Sequence, residues 1–241
     1  ASFFVNAGGY TSMDRLCGEG LVTNTASTAQ VLQITDASDE PGEFSGVISS
    51  GIQLVSEGGT ILLTGTNSAF GSITVKSNKG ALTEGGYIGL KTIGTEGEAS
   101  SAGKVQSLNF QTDGGGFKYL GEGETATKFL NVFSSIGSYP AFLDGGPNGG
   151  LTLSGYLQFT TDYALKFFFG GENTNLCTFA GNIRSVAGGF SSGFISKYGT
   201  GTWLFKDISQ RWFTGGFGIL DGTLQFETIA EAGKKSSLGT A

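Results

Sequence analysis

One strand-and-turn motif occurs twice in this chain of 241 residues, in copies about 140 residues apart. Each copy consists of short alternating stretches separated by glycines. A unit of this kind that recurs along a chain predicts a solenoid, in which each unit packs on the next. The first copy comprises residues 44–49, 58–65, 70–71 and 73–75, and the second comprises residues 179–183, 199–205, 214–216 and 222–226.

The best-preserved stretch of each copy, 60–64 and 202–206, alternates like a strand with one buried face. Successive side chains of a strand project to opposite faces, so every second residue is expected to point into the molecule. The predicted inward set is Ile61, Leu63, Trp203 and Phe205, and the predicted outward set is Leu62 and Leu204.

The composition supports an all-β fold. Glycine accounts for 43 residues and proline for only 3, but the glycines lack the three-residue period of collagen. A hydrophobic content of 38% excludes a disordered linker. Turn residues recur about every 8 to 12 positions, and no helical periodicity is visible. One short helical turn within 227–238 is the exception we expect. The long repeated motif favours a parallel β-helix over a sandwich or a barrel, which share this turn rhythm.

The regularity of the chain changes near residue 43. Residues 1–43 hold a few candidate strands within polar stretches and are predicted to form an amino-terminal cap or assembly segment. Residues 44–241 are predicted to form the β-solenoid, with repeat motifs at 44–75 and 177–240.

The order of the motif residues resembles the autotransporter-associated β-strand repeat of bacterial passenger domains. The resemblance covers 44–75 and 177–240 well, the middle weakly and the first forty residues hardly at all. It implies a right-handed β-helix that is secreted or displayed on the surface of a diderm bacterium, and in which the repeat is structural. The matching positions are Phe179, Gly181, Ile183, Lys197, Gly199, Gly201, Thr202, Leu204, Thr214, Gly215, Gly216, Gly222, Thr223 and Leu224.

The chain departs from that family at its carboxy end. It has no carboxy-terminal membrane barrel, and it stops at Ala241 where another rung is due. We therefore expect either further sequence or a second molecule to complete this end.

The charge of the chain limits its partners. Only 14% of residues are charged, the formal net charge is −6, and the basic residues are scattered. A nucleic-acid partner is not expected, because a phosphate backbone requires a basic surface. No run of 18 apolar residues is present, so no transmembrane helix is predicted.

Histidine is absent, which removes the commonest general base and metal ligand. Triads and Cys–His pairs are therefore impossible, and a Ser–Lys pair is the combination that stays open. The glycine-rich stretch at 121–126 lacks the Lys-Ser/Thr ending of a phosphate-binding loop, so no cofactor is expected. We predict that the protein is not an enzyme, and a polysaccharide lyase ranks third among the functions considered.

Four carboxylates are the metal candidates. Glu96 and Glu98 form one i, i+2 pair between glycines, and Glu122 and Glu124 form another. Such a pair on a strand points to one side and could contribute to a calcium site or form the carboxylate pair of a retaining glycosidase. Calcium takes six to eight oxygen ligands, so solvated loop charges are the preferred interpretation and no metal is predicted.

Two further features have open interpretations. Cys17 and Cys177 could form a disulfide between the amino-terminal segment and a late rung, or could be two small buried side chains. In Phe167–Phe168–Phe169 at least one ring must leave the interior, either as an exposed contact patch or beneath a covering loop.

The favoured function is an extracellular structural element that associates with itself: a stalk, a fibre subunit or part of a surface layer. Open strand edges at the two ends of a solenoid pair readily with another chain. The alternative is a cell-surface adhesin that binds glycans or other cells through exposed aromatic faces. The residues predicted to mediate assembly are Phe3, Phe4, Val5, Phe167, Phe168, Phe169 and Leu238.

Overall fold

The computed structural model describes residues 2–5, 9–35, 40–76, 86–111, 114–133, 140–160, 166–185, 194–206, 216–231 and 233–240. These residues form 26 short strands and no helix, which confirms the all-β prediction for them. The helical turn expected within 227–238 is absent from its described residues. None of the described residues belongs to a helix long and apolar enough to cross a membrane.

The strands, numbered in chain order, form four parallel sheets and one antiparallel hairpin. Sheet I contains β1 (Ser2–Phe4), β3 (Leu21–Thr23) and β6 (Val47–Ile48). Sheet II contains β2 (Tyr10–Met13), β4 (Gln30–Ile34), β7 (Ile52–Glu57), β9 (Ser72–Lys76), β11 (Ser107–Gln111), β14 (Phe129–Phe133), β17 (Leu157–Phe159) and β20 (Ile183–Ser185). Sheet III contains β5 (Gly42–Phe44), β8 (Ile61–Leu63), β10 (Tyr87–Leu90), β12 (Gly116–Tyr119), β15 (Ala141–Asp144), β18 (Lys166–Gly170), β21 (Phe194–Lys197) and β23 (Gly216–Ile219). Sheet IV contains β13 (Glu124–Ala126), β16 (Leu151–Leu153), β19 (Cys177–Phe179), β22 (Thr202–Phe205) and β24 (Thr223–Phe226), and the hairpin consists of β25 (Lys235–Ser236) and β26 (Gly239–Thr240).

The chain passes from sheet to sheet in a fixed cycle. From β12 to β20 it visits sheets III, IV and II in that order three times. Each cycle, which we call a rung, adds one parallel strand to each sheet. Ala141 pairs with Phe167 and Leu157 with Ile183, so a rung takes about 26 residues. Parallel neighbours require a long crossover connection, and here that connection is formed by the other two sides of the rung. The strands therefore stack as expected in a β-solenoid.

Sheets I and IV both lie between sheet III and sheet II in the cycle, on what we call the third side of the rung. An irregular segment, residues 91–106, lies between these two sheets on that side. Its Lys104 N–H donates to the carbonyl of Phe70 at 3.2 Å, and its Gly94 carbonyl accepts from Thr127 N–H at 3.4 Å. This segment bonds to the rungs on both sides of it without forming a regular strand.

The amino-terminal segment uses the same sheets as the rest of the chain. β4 pairs with β7 over five residues, from Gln30 with Ile52 to Ile34 with Ser56. Sheet II therefore continues across the predicted boundary at residue 43.

The alternation predicted for both motif copies is confirmed, because the inward residues are buried and the outward residues are half-buried. The two copies nevertheless lie on different sides of the rung. Ile61 belongs to β8 in sheet III, whereas Trp203 belongs to β22 in sheet IV. The motif therefore encodes a strand with its turn, and does not mark one side of the solenoid.

Aromatic rings fill the interior of the later rungs. Phe169 contacts Trp203 and Phe205, with ring centroids 4.8 Å and 5.1 Å apart. The contacts continue toward both ends, through Phe167 to Phe110 at 5.2 Å and through Phe205 to Phe217 at 5.8 Å. Trp203 also donates its indole N–H to the carbonyl of Gly170 at 2.9 Å, which satisfies its one polar group. We call this stack, from Phe110 to Phe226, the aromatic column.

The exposed patch predicted at Phe167, Phe168 and Phe169 is wrong, because all three rings are at most 8% exposed. Phe167 and Phe169 belong to the aromatic column. Phe168 points outward, where the ring of Tyr198 packs beside it with centroids 6.2 Å apart. A neighbouring rung therefore covers the outward ring.

Some glycines within the strands of sheet III lie beneath large rings from neighbouring rungs. A Cβ atom at Gly170 would overlap the ring of Tyr198, and one at Gly216 would lie 2.8 Å from the ring of Phe194. These glycines are therefore required by close packing on the outer face, and neither has a positive φ angle.

The two cysteines are free, so the disulfide interpretation is wrong. Cys17 is exposed, and Cys177 is buried in register with Trp203. Burial raises the pKa of the Cys177 thiol to about 11. Cys177 is thus the small buried side chain of the alternative interpretation, and Cys17 is not.

Candidate functional site

The first rung leaves inward-facing apolar side chains partly uncovered. Phe3 pairs with Val22, which is 1% exposed, yet Phe3 itself is 39% exposed. Met13 pairs with fully buried Ile34 and is half-buried. Among the described residues, β1 and β2 each pair with only one strand, so each has one open backbone edge there. Phe4, another predicted assembly residue at this end, is 50% exposed.

The last rung also leaves inward-facing apolar side chains partly uncovered. Phe217, Leu224 and Phe226 are half-buried, although their register partners in the preceding rung are fully buried. Ile219 and Leu220 are 57% and 64% exposed beside them. Within the described part of the chain, β23 and β24 each pair with a single strand. We call the first surface the amino end and this one the carboxy end.

Two predicted assembly residues are placed differently. Val5 is fully buried, so its side chain is not available for a contact. Leu238 is half-buried between β25 and β26, and its N–H donates to Ser236 Oγ at 3.2 Å. That residue lies in the turn of an antiparallel hairpin and not on an open parallel edge.

Three of the four predicted calcium candidates lie around a buried lysine instead. The carboxylate of Glu124 accepts the N–H groups of Ile93 at 2.6 Å and Gly94 at 3.1 Å. Lys128, fully buried, donates to the carbonyl of Thr95 at 2.7 Å. Glu124, Glu98 and Glu96 act electrostatically on this ammonium group, whereas Glu122 does not contribute. We call Lys128, Glu124 and the backbone they hold the Lys128 clamp.

Burial controls the chemistry of this lysine. Desolvation lowers the pKa of Lys128 to about 8, and the nearby carboxylates offset part of that effect. Groups of three or more metal-ligating side chains are absent from the described residues. Three of these carboxylates thus lie around an ammonium group.

Among the described residues, the clamp also contains a Ser–Lys approach that bears on catalysis. Lys128 Nζ lies 3.5 Å from Ser100 Oγ. The Ser100 hydroxyl is within donor distance of the Ile93 and Gly103 carbonyls, at 2.8 and 3.1 Å. Ser100 and Lys128 are at most 2% exposed. A nucleophile needs an accessible oxygen whose proton is shared with its base. This pair is placed to hold the irregular segment, not to meet a substrate.

A second buried lysine closes a corner of the solenoid. Lys197 points into the interior in register with Phe169, and its ammonium group donates to the carbonyls of Tyr198 and Gly199. Burial lowers its pKa.

The outer corner between sheets III and IV holds a cleft of about 350 Å³. Four functional side chains line it, one from each of four successive rungs: Lys118, Asp144, Glu172 and Tyr198. The rest of the wall is formed by Gly146, Pro147, Gly171 and Gly199. We call this the corner cleft.

Tyr198 and Asp144 form the floor of the corner cleft. The tyrosine hydroxyl hydrogen-bonds to the Asp144 carboxylate, and the Gly146 N–H donates to Asp144 Oδ1 at 2.6 Å. Burial, together with the negative charge of Asp144, raises the pKa of Tyr198. The tyrosine is therefore neutral over the physiological pH range.

These four residues belong to none of the motifs described from the sequence. They recur at about one rung each, and three of them adjoin a glycine: Asp144, Glu172 and Tyr198. Polar side chains that recur at the rung period beside glycines are the sequence signal for three of them. The motifs described above consist of residues close together in the chain and therefore do not contain this set.

No model of a protein family, no curated protein and no solved structure matches this chain.

Proposed function

We propose that this chain is a right-handed parallel β-helix and serves as an extracellular structural element that associates end to end with further copies. The location, on the surface of a diderm bacterium, and the handedness follow from the resemblance of its repeat motif to autotransporter-associated repeats. The role as a stalk, fibre subunit or surface-layer element follows from the two ends of the stack.

The observation that carries this proposal is the pair of uncovered end rungs. Inward-facing Phe3 at one end, and Phe217, Leu224 and Phe226 at the other, remain partly exposed although their register partners are buried. A further rung stacked on either end would cover these rings and pair the open strand edges.

Stacking of a second copy fits the geometry of the third side. The first rung offers β1 and β2, and the last rung offers β23 and β24, each with one open edge among the described pairings. β1 and β24 both belong to the third side, so the strand at one end can pair with the strand at the other. Because the two end surfaces differ, head-to-tail contacts do not close on themselves and extend into a filament.

The adhesin alternative requires exposed aromatic faces. Among the described residues, the most exposed aromatic rings of the strands are Phe4 and Tyr10, which belong to the first rung, where another copy is proposed to stack. We therefore place assembly first.

Sedimentation velocity over a range of concentrations tests the proposal with one variant for each end. Phe3→Glu places a charge on the amino end, and the double variant Ile219→Glu, Leu220→Glu places charges on the carboxy end. Leu176→Glu is the matched control, because Leu176 is 42% exposed in the middle of the stack.

Wild type and Leu176→Glu are expected to grow into long species with rising concentration, whereas each end variant alone stays monomeric. An equimolar mixture of the two end variants should form a dimer and grow no further, since one working end of each type remains. A wild-type protein that stays monomeric at tens of micromolar would refute the proposal. Dimers formed by one end variant alone would show a symmetric contact and refute the head-to-tail arrangement.

A further inference from the structure

The first rung has strands on only two of its three sides. β1 lies on the third side and β2 lies in sheet II, whereas no described residue of this rung belongs to sheet III. The edge of sheet III is reached only in the second rung, where the Gly18 N–H donates to the Glu43 carbonyl of β5 at 2.8 Å. The amino end is therefore one strand lower along sheet III than along its other two sides.

This difference in height leaves a notch of about 290 Å³ at the amino end. Its walls come from β1, from the end of β2, from residues 15–19, and from β3 and β5. Most of the lining is apolar, and it includes Phe3, Met13, Leu16, Val22 and Phe44. We call this hollow the amino-end notch. Apolar side chains that fill it would remove this lining from water, which is favourable.

The carboxy end carries exposed apolar side chains on the same sheet. β23 is the last described strand of sheet III, and its Ile219 pairs with Lys197, which pairs with Phe169 of the aromatic column. Ile219 therefore points inward, but within the described part of the chain no further strand covers it, and it is exposed. Leu220 follows it and is also exposed. Sheet III thus ends in two uncovered aliphatic side chains at one end and in a hollow at the other.

The hollow and the two side chains coincide when copies stack through their third sides. Parallel pairing of β1 of one copy with β24 of another places sheet III of the first over sheet III of the second, because the sides follow in the same order in every rung. The amino-end notch then lies over Ile219 and Leu220. Residues 216–220 contain no charged side chain, so their entry into an apolar hollow leaves no charge without water.

We propose that Ile219 and Leu220 of one copy fill the amino-end notch of the next copy and take the place of the strand that the first rung lacks on sheet III. This inference rests on the proposed end-to-end association and adds to it one fixed rotation between stacked copies. In that rotation Leu220 lies against Cys17 of the next copy, because Cys17 is exposed and lines the notch.

Disulfide trapping tests this contact. Leu220→Cys adds a thiol to the carboxy end, while Cys17 supplies the thiol at the notch and Cys177 is buried. Ile229→Cys is the matched control, because Ile229 is exposed at the same end but follows β24 on the third side. Each variant is oxidised with diamide at tens of micromolar, and the products are separated by non-reducing electrophoresis. Two thiols are joined only when their Cα atoms approach within about 7 Å, so the product reports the position of the contact.

Leu220→Cys is expected to give a ladder of disulfide-linked dimers, trimers and longer species, with at least tenfold more cross-linked product than Ile229→Cys. Addition of Cys17→Ser to the Leu220→Cys variant should remove the ladder. The proposal is overturned if the two carboxy-end variants cross-link equally, or if Leu220→Cys gives no ladder under conditions in which wild type sediments as long species. Either of these results would leave end-to-end association standing. A protein that neither cross-links nor grows in sedimentation would refute both proposals.

Discussion

The aromatic column and the Lys128 clamp are both buried and lie close together in the chain, but they are stabilised in different ways. The column is a stack of rings around Phe169, held by contact area and by tilted and edge-on ring contacts. The clamp is a set of directed bonds in which Glu124 and Lys128 hold the backbone of the irregular segment. Ring packing suits rungs that repeat, whereas directed bonds suit residues 91–106, where the third side has no regular strand.

Truncation of the column should give the largest effect. Trp203→Ala removes a fully buried ring and leaves a cavity beside Phe169, so the free energy of unfolding should fall by about 3–5 kcal/mol. Urea unfolding measures this loss, with Leu176→Ala as an exposed control that should change stability by less than about 0.5 kcal/mol. Equal losses in the two variants would show that the column is not what holds the later rungs.

Removal of one bond partner from the clamp should cost less. Glu124→Ala leaves the N–H groups of Ile93 and Gly94 without their carboxylate acceptor, and we expect a loss of about 2–3 kcal/mol in the same urea experiment. Glu122→Ala is the neighbouring control, because that exposed carboxylate is not part of the clamp. If both variants have the same free energy of unfolding, the bonds of Glu124 do not stabilise the fold, and the clamp is not comparable with the column.

The outer face of sheet III provides an intermediate case, in which a ring is held by shape alone. Gly170→Ala adds a methyl group where the Tyr198 ring lies, and should cost about 1–2 kcal/mol through overpacking. In a Tyr198→Ala background the same change should cost almost nothing. This double-mutant cycle isolates the contact, and a cost that persists without the ring would assign it to the backbone instead.

The last effect concerns pH and changes no contact. The pKa of Lys128 is about 8 in the folded protein, below its ordinary value of 10.5, so the unfolded chain binds more protons between these values. Stability should therefore increase as the pH rises from about 8 toward 10.5, and the cost of burying the ammonium group should be fully present below that window. The difference in unfolding free energy between wild type and Lys128→Met across this range measures the effect. A difference that is flat with pH, or that falls, would mean that Lys128 is hydrated.

The buried faces of the motif strands were predicted well from the sequence, because strand alternation is a local property. Ile61, Leu63, Trp203 and Phe205 are buried as their positions in the alternation require. The burial of Phe168 was not predictable in the same way, since the ring that covers it, Tyr198, lies one rung later and about 30 residues away in the chain.

The candidate sites were harder to predict than the strands, because they are formed by contacts between rungs. The pairs Glu96, Glu98 and Glu122, Glu124 look alike in sequence, but only the structure shows that Glu124 holds the backbone of a distant segment while Glu122 remains exposed. The corner cleft collects one side chain from each of four rungs. No local pattern reveals such a set until the length of the rung is known.

The rings that lie over glycines have a consequence for how the chain folds. A solenoid built from similar strands can misalign, because a strand that skips one neighbour and pairs with the next still forms every backbone bond. The ring of Tyr198 fits only where a glycine leaves space beneath it, as at Gly170, and the ring of Phe194 requires the gap at Gly216. Each such pair of a ring and a glycine is therefore specific to two particular strands. Deletion or duplication of a single rung between β18 and β23 would place these rings over strands without a matching glycine. This part of the chain therefore has a fixed order although its strands look interchangeable.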